Sequence, residues 1–281
     1  MKYLQHIILA FAALPVSASA FAWGSYEHTV IAYAAQFHLS VNAAENIRRY
    51  LDQPIYEYAD WMDYVPMQSF PEYEAIGRNA HMVAYGLDGR ILGSSPFLNG
   101  QANCYGAMKD ILDVLKNHNE EPFDKVVLYL RYLIHMMGDF HCPGHILYVD
   151  LPQDGSLLPD SEWRGNRIWK KCWYKGSRQT IHWLWDTALQ HEHGDWNYQQ
   201  WTDCLDVWDE DEIAHAVEGT LEDWVRDNAS RCSSLFSYSR ENGLYDESYY
   251  GPEAIELSHR QIRLAIYRLA KVLNDCFDYV E

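Results

Sequence analysis

Apolar residues recur at helical spacing along most of the chain. In the stretch 123–141, Val126, Leu130, Leu133 and Met137 follow one another at intervals of three or four. This period places apolar side chains on one face of a helix. Similar patterns predict helices over 28–37, 40–51, 103–117, 178–192, 210–227 and 252–276. The sequence therefore predicts an all-α fold, built as a single mostly helical domain.

Two stretches do not follow this pattern. Residues 61–102 are rich in Pro, Gly and Ser, and residues 146–177 contain Pro, Gly and alternating bulky side chains. The second stretch leaves a short β-hairpin open as an alternative to irregular structure. We find no internal repeat and no linker, so residues 23–281 are expected to form one domain.

Residues 1–22 are predicted to be a signal peptide. An early lysine precedes an apolar run, and small residues follow. This order is typical of a secretory leader, and the run is too short for a permanent membrane span. Cleavage after Ala20 would leave Phe21 first, cleavage after Ala22 would leave Trp23 first, and an uncleaved anchor is the third alternative. No later segment is long and apolar enough to span a membrane, so we expect a secreted or periplasmic protein.

The chain is acidic, since 22 Lys and Arg stand against 40 Asp and Glu and give a formal charge of −18. Such a chain is not expected to bind duplex nucleic acid through a broad basic face. Bound divalent cations would reverse the field locally. An acidic chain that acts on phosphates is therefore expected to use metals.

The six cysteines never pair as C-x-x-C, which argues against a thiolate zinc site. They are Cys104, Cys142, Cys172, Cys204, Cys232 and Cys276. In an oxidising compartment they are expected to form up to three disulfides, whose pairing the sequence does not choose.

Two predicted helices carry the same pair of metal-binding side chains. His135 and Asp139 are four residues apart, and so are His182 and Asp186. Residues four apart lie one turn apart on the same helix face. A Pro-Gly step ends the first helix, so His145 can fold back toward that face. Imidazole and carboxylate together suit zinc, although one such pair alone is more often a hydrogen bond on a helix face.

Cleavage before Trp23 would turn the amino terminus into a ligand. A free α-amine and the Trp23 carbonyl can chelate a metal in a five-membered ring. His28 follows five residues later at the start of a helix and can reach the same ion. The alternative is that Trp23 is a core residue and His28 a surface residue.

In combination these residues resemble the S1/P1-type nucleases, the single-strand-specific zinc nucleases of fungi and plants, to which bacterial zinc phospholipase C is distantly related. The resemblance covers essentially the whole chain after position 22. Its motifs are W-G-x3-H from Trp23 to His28, W-x-D from Trp61 to Asp63, a His at His81, H-x3-D-x5-H through His135, Asp139 and His145, a glycine-asparagine turn at Gly165-Asn166, and H-x3-D at His182 and Asp186. The ligands occur in the family's order, which makes the match specific.

The resemblance implies three zinc ions. Their ligand sets would be Asp63, His81, His135 and Asp139 for the first, Asp139, Trp23 and His28 for the second, and His145, His182 and Asp186 for the third. In this chemistry the paired metals acidify a water that attacks phosphorus in line, and the third stabilises the leaving oxygen. The resemblance makes Asp63 the catalytic residue that orients or deprotonates the water. Asp60 is a rival for this position, and the W-x-D order favours Asp63.

Two positions depart from the family's pattern. The nucleases carry an Arg three residues after the W-x-D acid, where this chain has Pro66. They carry an Asp three residues after the His that matches His81, where it has Ala84. Since those two groups pair beside the phosphate in the family, their joint absence bears on substrate choice rather than on the metal core. Arg78 is a candidate substitute.

We therefore expect a zinc-dependent phosphoesterase, in first place a monomeric endonuclease or nucleotide phosphohydrolase that cleaves P–O bonds of single-stranded DNA or RNA. Exposed aromatic side chains would stack the bases. The first alternative is a zinc phospholipase C-like or other phosphomonoesterase, which the missing Arg and Asp favour. The second is a non-catalytic metal- or nucleotide-binding protein, which a metal site sealed from solvent would indicate.

Overall fold

The computed structural model describes residues 23–64, 78–97, 100–233, 244–245 and 250–280. Helices dominate these residues, so the predicted mostly helical fold is confirmed. The helices are α1 (Ser25–Ala35), α2 (Val41–Ile47), α3 (Trp61–Tyr64), α4 (Cys104–Lys116), α5 (Phe123–His141), α6 (Asp160–Gly165), α7 (Ile181–Asp186), α8 (Ala188–His193), α9 (Tyr198–Leu205), α10 (Glu210–Ala216), α11 (Leu221–Ser233) and α12 (Pro252–Phe277). The strands are β1 (Val83–Gly86), β2 (Ile146–Val149), β3 (Lys171–Tyr174), β4 (Ser177–Thr180) and β5 (Leu244–Tyr245).

The central helix is α5, which packs against α4, α12 and α1. It ends before Cys142, whose backbone is extended, because Pro143 follows and disfavours a helical residue before it. All side chains from Tyr132 to His141 are buried on this helix. A helix buried on every side can present polar groups only to partners inside the protein.

Helix α12 closes the core from the other side. Pro252 occupies its first turn, where the missing N–H costs nothing. Three of its apolar residues, Ile262, Leu269 and Leu273, are fully buried. The helix packs on α1, α2 and α5, so the N-terminal helix is held between the two longest helices of the described chain.

A short parallel sheet joins two segments that are distant in sequence. β1 pairs with β2, with Val83 opposite Ile146 and Gly86 opposite Val149. The sequence patterns did not predict these strands. Both are four-residue runs that are buried at three of four positions, and such runs show no alternation of apolar and polar residues.

A β-hairpin precedes α7. β3 and β4 are antiparallel, and β5 adds a parallel strand on the other side of β3. The two-residue connection is Lys175-Gly176, with positive φ of 45° and 79°, as a type I′ turn requires. The hairpin left open over 146–177 therefore exists, but it lies at the end of that stretch and runs on to Thr180.

Two predicted helices are wrong in part. The predicted helix 178–192 begins as strand β4, and Thr187 separates α7 from α8. The predicted helix 210–227 is divided into α10 and α11 around Gly219, whose φ is +86°. Glycine takes this left-handed conformation freely, and a helix cannot pass through it. The short helices α6 and α9 were not predicted.

The expected disulfides are absent, because all six cysteines are free and five of them are buried. The predicted signal peptide, residues 1–22, lies outside the described residues. Within the described part of the chain, no helix combines the length and the apolar character needed to cross a membrane.

Candidate metal centre

The centre of the site is one carboxylate on the central helix. Asp139 is fully buried, one turn from His135, and its Oδ2 lies 3.2 Å from His135 Nε2. The other ring nitrogen of His135, Nδ1, donates a hydrogen bond to the carbonyl of Ala59 at 2.8 Å. This bond fixes the ring with Nε2 toward the carboxylate, as second-shell bonds orient metal-ligating imidazoles.

The parallel sheet brings two further histidines to Asp139. His81 lies two residues before β1 and His145 directly before β2, and parallel strands begin at the same edge of a sheet. His81 Nδ1 lies 2.9 Å from Asp139 Oδ2, and His145 Nδ1 lies 3.4 Å from Oδ1. The same His145 nitrogen donates to the His81 carbonyl at 2.8 Å. The strand register therefore positions both rings.

Asp63 joins the group from α3. Its Oδ1 lies 3.7 Å from His135 Nε2 and 4.0 Å from His81 Nδ1. The rival Asp60 is turned away, since its carboxylate accepts a hydrogen bond from the Ser25 hydroxyl. The structure thus places Asp63, and not Asp60, beside the two imidazoles.

His28 reaches the same carboxylate from α1. Its Nε2 lies 3.3 Å from Asp139 Oδ1, and its ring stacks on that of His135 with 3.9 Å between centroids. This approach depends on Gly138, because a Cβ at that position would lie 2.6 Å from His28 Nδ1. The alternative of a surface His28 is wrong, since the residue is 1% exposed.

The remaining pair forms a second group next to the first. Asp186 lies with Oδ1 3.4 Å from His145 Nε2 and with Oδ2 2.7 Å from His182 Nδ1. The rings of His145 and His182 stack at 4.8 Å. Gly144 permits this contact, because a Cβ there would lie 3.1 Å from the Trp185 Cβ and 3.3 Å from the His182 carbonyl oxygen.

Trp23 is completely buried at the start of the described chain. The next residue, Gly24, donates its N–H to the carbonyl of Asp186, so the N-terminal segment is bonded to the helix that carries the second group. A side chain at Gly24 would lie 2.9 Å from that same carbonyl oxygen. Trp23 therefore lies at the metal centre side of the fold, beside α7.

Glu27 is a positioning residue that the sequence patterns did not reveal. It is fully buried, and its Oε1 accepts hydrogen bonds from the backbone N–H of Leu189 at 3.0 Å and of Gln190 at 3.4 Å. These are N–H groups of the first turn of α8. Burial raises the pKa of Glu27 to about 8. The contact holds α1, with His28, against the helices that follow Asp186.

The electrostatics favour cation binding around Asp139. Burial alone would raise the pKa of Asp139, but the imidazoles of His135, His145 and His81 lower it well below its usual range. Burial and the neighbouring His135 lower the pKa of His28 to about 3, despite Asp139. Against the effect of burial, Asp139 and Asp63 raise the pKa of His135 to about 9. Asp139 is therefore ionised and His28 neutral, as metal binding requires, while a cation at His135 has to displace a proton.

Burial shifts the pKa values of three other groups of the site toward their neutral forms. Burial raises the pKa of Asp186 to about 7 and that of Asp63 to about 6, with His145 opposing the first shift and His135 the second. Burial also lowers the pKa of His182 to about 4. Two acids and a base that burial drives toward neutrality would gain a stabilising partner from a bound cation.

Unpaired atoms supply a direct test of whether a metal fits. The buried atoms without a hydrogen-bond partner include His28 Nδ1 and Nε2, Asp63 Oδ2, Asp139 Oδ1, His145 Nε2, and His182 Nδ1 and Nε2. Buried polar groups are normally satisfied, so such a concentration in one place calls for a missing partner. The metal centre, defined as the eight side chains His28, Asp63, His81, His135, Asp139, His145, His182 and Asp186, therefore fits bound cations.

The distances also fit zinc. Two nitrogen or oxygen atoms bound to one zinc at about 2.0–2.2 Å can be no more than roughly 4.4 Å apart. The atoms that join Asp63, His81, His135 and Asp139 lie 2.9–4.0 Å apart. In three groups of described residues the potential ligand atoms all lie within 4.8 Å of one another: His28, Asp63 and His135; His81, His135 and Asp139; and Cys142, His145 and Asp186.

Cys142 is the second residue that the sequence patterns did not reveal. Its buried thiol donates to Asp186 Oδ1 at 3.8 Å and belongs to the group with His145. Burial and the nearby carboxylates of Asp186 and Asp139 raise the pKa of this thiol well above its ordinary value. The absence of C-x-x-C spacing argued against a thiolate, but this cysteine meets its partners through the fold and not through a local motif.

Of the two positions that depart from the S1/P1 pattern, the structure describes Ala84. Ala84 is completely buried in β1, so it presents nothing to a substrate. Arg78 begins the 3₁₀ turn Arg78–His81, so it lies one turn before His81, as expected. Pro66 lies outside the described residues. Of the four histidines that contact Asp139, His81 has the most exposed side chain, at 18%. The metal centre is therefore not sealed from solvent.

Residues 23–278 match the family described as S1/P1 Nuclease. The match covers nearly the whole chain, and it starts at Trp23. The chain therefore belongs to the S1/P1 nuclease family, a class of hydrolases that act on phosphate esters and use zinc. No curated protein matches the chain.

Proposed function

We propose that this chain is a zinc nuclease that cleaves P–O bonds in single-stranded DNA or RNA. The observation that carries the proposal is the environment of Asp139, whose two oxygens face four imidazoles from four separate elements at 2.9–3.4 Å. A helix-face hydrogen bond needs one partner. Four partners, two of which (His28 and His145) keep an unpaired ring nitrogen, support a carboxylate that would bind two cations.

The residues would hold three ions in the sets that the resemblance implies. Asp63, His81, His135 and Asp139 form the first set; Asp139, His28 and the Trp23 terminus the second; His145, His182 and Asp186 the third. Zinc in such a site supplies Lewis acidity and lowers the pKa of a bound water. Cleavage before Trp23 is part of this proposal, because only a free amine can take the terminal position.

The protein side chains have separate tasks in this scheme. Asp63 is proposed to orient the attacking water, since it is an acid whose pKa burial raises to about 6 and which sits against both His81 and His135. The bond from His135 to Ala59 and that from His145 to His81 keep the rings in place. Such fixed geometry lowers the reorganisation that the reaction requires.

The leader and the start of the family match support a location outside the cytoplasm. Residues 1–22 have the form of a secretory signal, and the S1/P1 match begins directly after it. We propose a secreted or periplasmic protein that acts as a monomer. N-terminal sequencing of the exported protein is expected to begin at Trp23, and a start at Phe21 with full activity would remove the amine from the scheme.

One side-by-side assay tests the proposed function. The exported protein is offered single-stranded DNA, RNA, a mononucleotide and phosphatidylcholine, each with and without added zinc. We expect the two polymers to be cleaved fastest and chelation to abolish cleavage. Faster turnover of phosphatidylcholine would establish the phospholipase C-like alternative. Tight zinc binding without turnover of any of the four would establish a binding protein.

A further inference from the structure

One short segment is cationic, although the chain as a whole is acidic. Residues 164–178 contain six of the 22 Lys and Arg and none of the 40 Asp and Glu. The rest of the chain then carries 16 basic against 40 acidic residues, a net charge of −24. The acidic side chains nearest in sequence are Glu162 and Asp160, just before the segment. We call residues 164–178 the basic segment.

The basic segment displays its charge to solvent. Its six cationic residues are all exposed: Arg164, Arg167, Lys170, Lys171, Lys175 and Arg178. Only Ile168 and Cys172 are buried, and they attach the segment to the core. The six cations therefore lie on the protein surface.

The hairpin gathers part of this charge on one face. Along β3, Lys171 and Trp173 are exposed while Cys172 between them is buried. Trp173 lies opposite Arg178 on β4, and residues directly opposite each other share a face. A lysine, a tryptophan and an arginine thus project together from the side of the sheet that is away from the core.

The basic segment contacts the metal centre through residues that flank the hairpin. The Trp169 ring packs on the His182 ring with 4.8 Å between centroids, and the Lys170 carbonyl accepts the N–H of Ile181 at 3.0 Å. Strand β4 leads directly into α7, which carries His182 and Asp186. Arg178 is three residues, roughly 10 Å of strand, before Ile181, where that helix starts.

Aromatic exposure is concentrated at the same place. Of the eleven tryptophans, only Trp173 at 46% and Trp183 at 36% are exposed. Trp173 belongs to the basic segment and Trp183 follows His182. Cations that track a backbone, interleaved with aromatic faces, are the surface chemistry of proteins that bind single strands.

The turn keeps a lysine where another residue would fit more easily. Lys175 is the one non-glycine residue with positive φ in the described chain, at 45°. Asn, Asp and Gly adopt this conformation at lower cost. Its Nζ donates to the His191 carbonyl at 3.2 Å, so the tip of the hairpin is bonded to α8.

We infer that the basic segment, with Trp173 and Trp183, binds the part of a single nucleic-acid strand that flanks the phosphate at the metal centre. The inference rests on the proposed function. The rest of the chain carries a net charge of −24 and repels a polyanion. The cationic basic segment attracts it, and so brings the strand next to His182. The partner is a strand rather than a lipid surface, because the patch combines stacking faces with phosphate-binding cations beside the reaction site.

The test compares two triple variants of the full exported chain. Lys170→Gln, Lys171→Gln and Lys175→Gln remove three charges from the basic segment. The matched control, Lys109→Gln, Lys116→Gln and Lys271→Gln, removes three charges from α4 and α12. Substrates are an oligothymidylate of about 20 nucleotides and the dinucleotide that contains a single phosphodiester. Thermal unfolding and zinc content of each variant are measured first, so that loss of folding is not mistaken for loss of binding.

We expect the basic-segment variant to lose about tenfold or more in kcat/KM on the oligonucleotide at low salt, and to keep the dinucleotide rate within about twofold. The slope of log kcat/KM against log salt should become shallower by up to about 2, at about 0.7 for each phosphate that the variant no longer neutralises. Trp173→Ala should lower kcat/KM on the oligonucleotide by roughly fivefold or more without changing the salt slope.

Equal losses in the two triple variants, or equal losses on both substrates, would overturn the inference. So would a basic-segment variant that cleaves the oligonucleotide normally but no longer floats with phosphatidylserine vesicles that bind the wild type, since the segment would then be a membrane contact. If the wild type cleaves neither substrate, the proposed function itself fails. Cleavage of both by wild type, with no selective effect of the lysines, refutes the basic segment alone.

Discussion

The metal centre and the basic segment lie next to each other but differ in burial, in charge and in how their residues are distributed along the sequence. The centre collects acids and imidazoles from six helices and turns, and six of its eight residues are buried. The basic segment is contiguous in sequence, cationic and exposed. They touch where Trp169 packs on His182. The difference separates two functions, because chemistry needs fixed and desolvated groups, whereas capture of a polymer needs accessible charge.

The largest effect should come from the bridging carboxylate. Asp139→Asn keeps the shape of the side chain and removes its charge, so two cations would face each other with weaker screening. We expect at least one zinc to leave and activity on every substrate to fall by several orders of magnitude. Zinc content and phosphodiesterase activity of the folded variant measure this.

The matched control is Asp60→Asn, which changes an acid that is bonded to Ser25 outside the cluster. It should retain zinc and most activity. If Asp139 only made a helix-face hydrogen bond, its loss would cost about 1 kcal/mol of stability and leave turnover near normal. That result would end the trinuclear scheme.

A smaller effect is expected from a methyl group behind the centre. In Gly138→Ala the added Cβ would lie 2.6 Å from His28 Nδ1, and the stacked His135 ring leaves His28 little room to move. We expect activity to fall by roughly 10–100-fold, as when a ligand's supporting contacts are changed. Overpacking should also cost about 1–3 kcal/mol of unfolding free energy, against a helix-propensity gain of about 1 kcal/mol.

Gly93→Ala is the control for this substitution, because a Cβ at that position would meet only the Gly106 Cα, at an ordinary contact distance of 3.8 Å. It should change neither zinc content nor turnover. Comparable losses in the two variants would show that the close packing of His28 on α5 does not govern the centre.

The N-terminal residue should have the smallest of the three effects. Protein that retains Ala22 has an amide in place of the Trp23 amine, while every side chain of the centre is preserved. We expect the loss of one zinc and a decrease in activity of roughly tenfold or more. Zinc titration of the two forms decides this, and equal affinity would show that the terminus is not a ligand.

Much of the metal centre could be predicted, because residues four apart in a helix lie next to each other on one face. The four-residue spacing of His135 and Asp139, and of His182 and Asp186, places each pair on one face before the fold is known. His81 had no such local signal and was found only through the family pattern. Its position depends on the parallel pairing of β1 and β2, which joins segments more than 60 residues apart and leaves no periodic trace.

The errors have equally local causes. Strand β4 has the sequence Ser-Arg-Gln-Thr and no apolar face, so its pattern does not distinguish it from the start of the helix that follows. The net charge of −18 concealed the basic segment, since a sum over the whole chain averages out a short cationic run. Cys142 was set aside because its partners, His145 and Asp186, come together only in the folded chain.

The zinc stoichiometry of the exported chain tests the account most directly. Elemental analysis of protein that begins at Trp23, after exhaustive dialysis against metal-free buffer near neutral pH, should give three zinc ions per chain. The number should fall as the pH is lowered, because protonated imidazoles and carboxylates release the metal. A single tightly bound zinc, or none, in a folded and active enzyme would contradict the account.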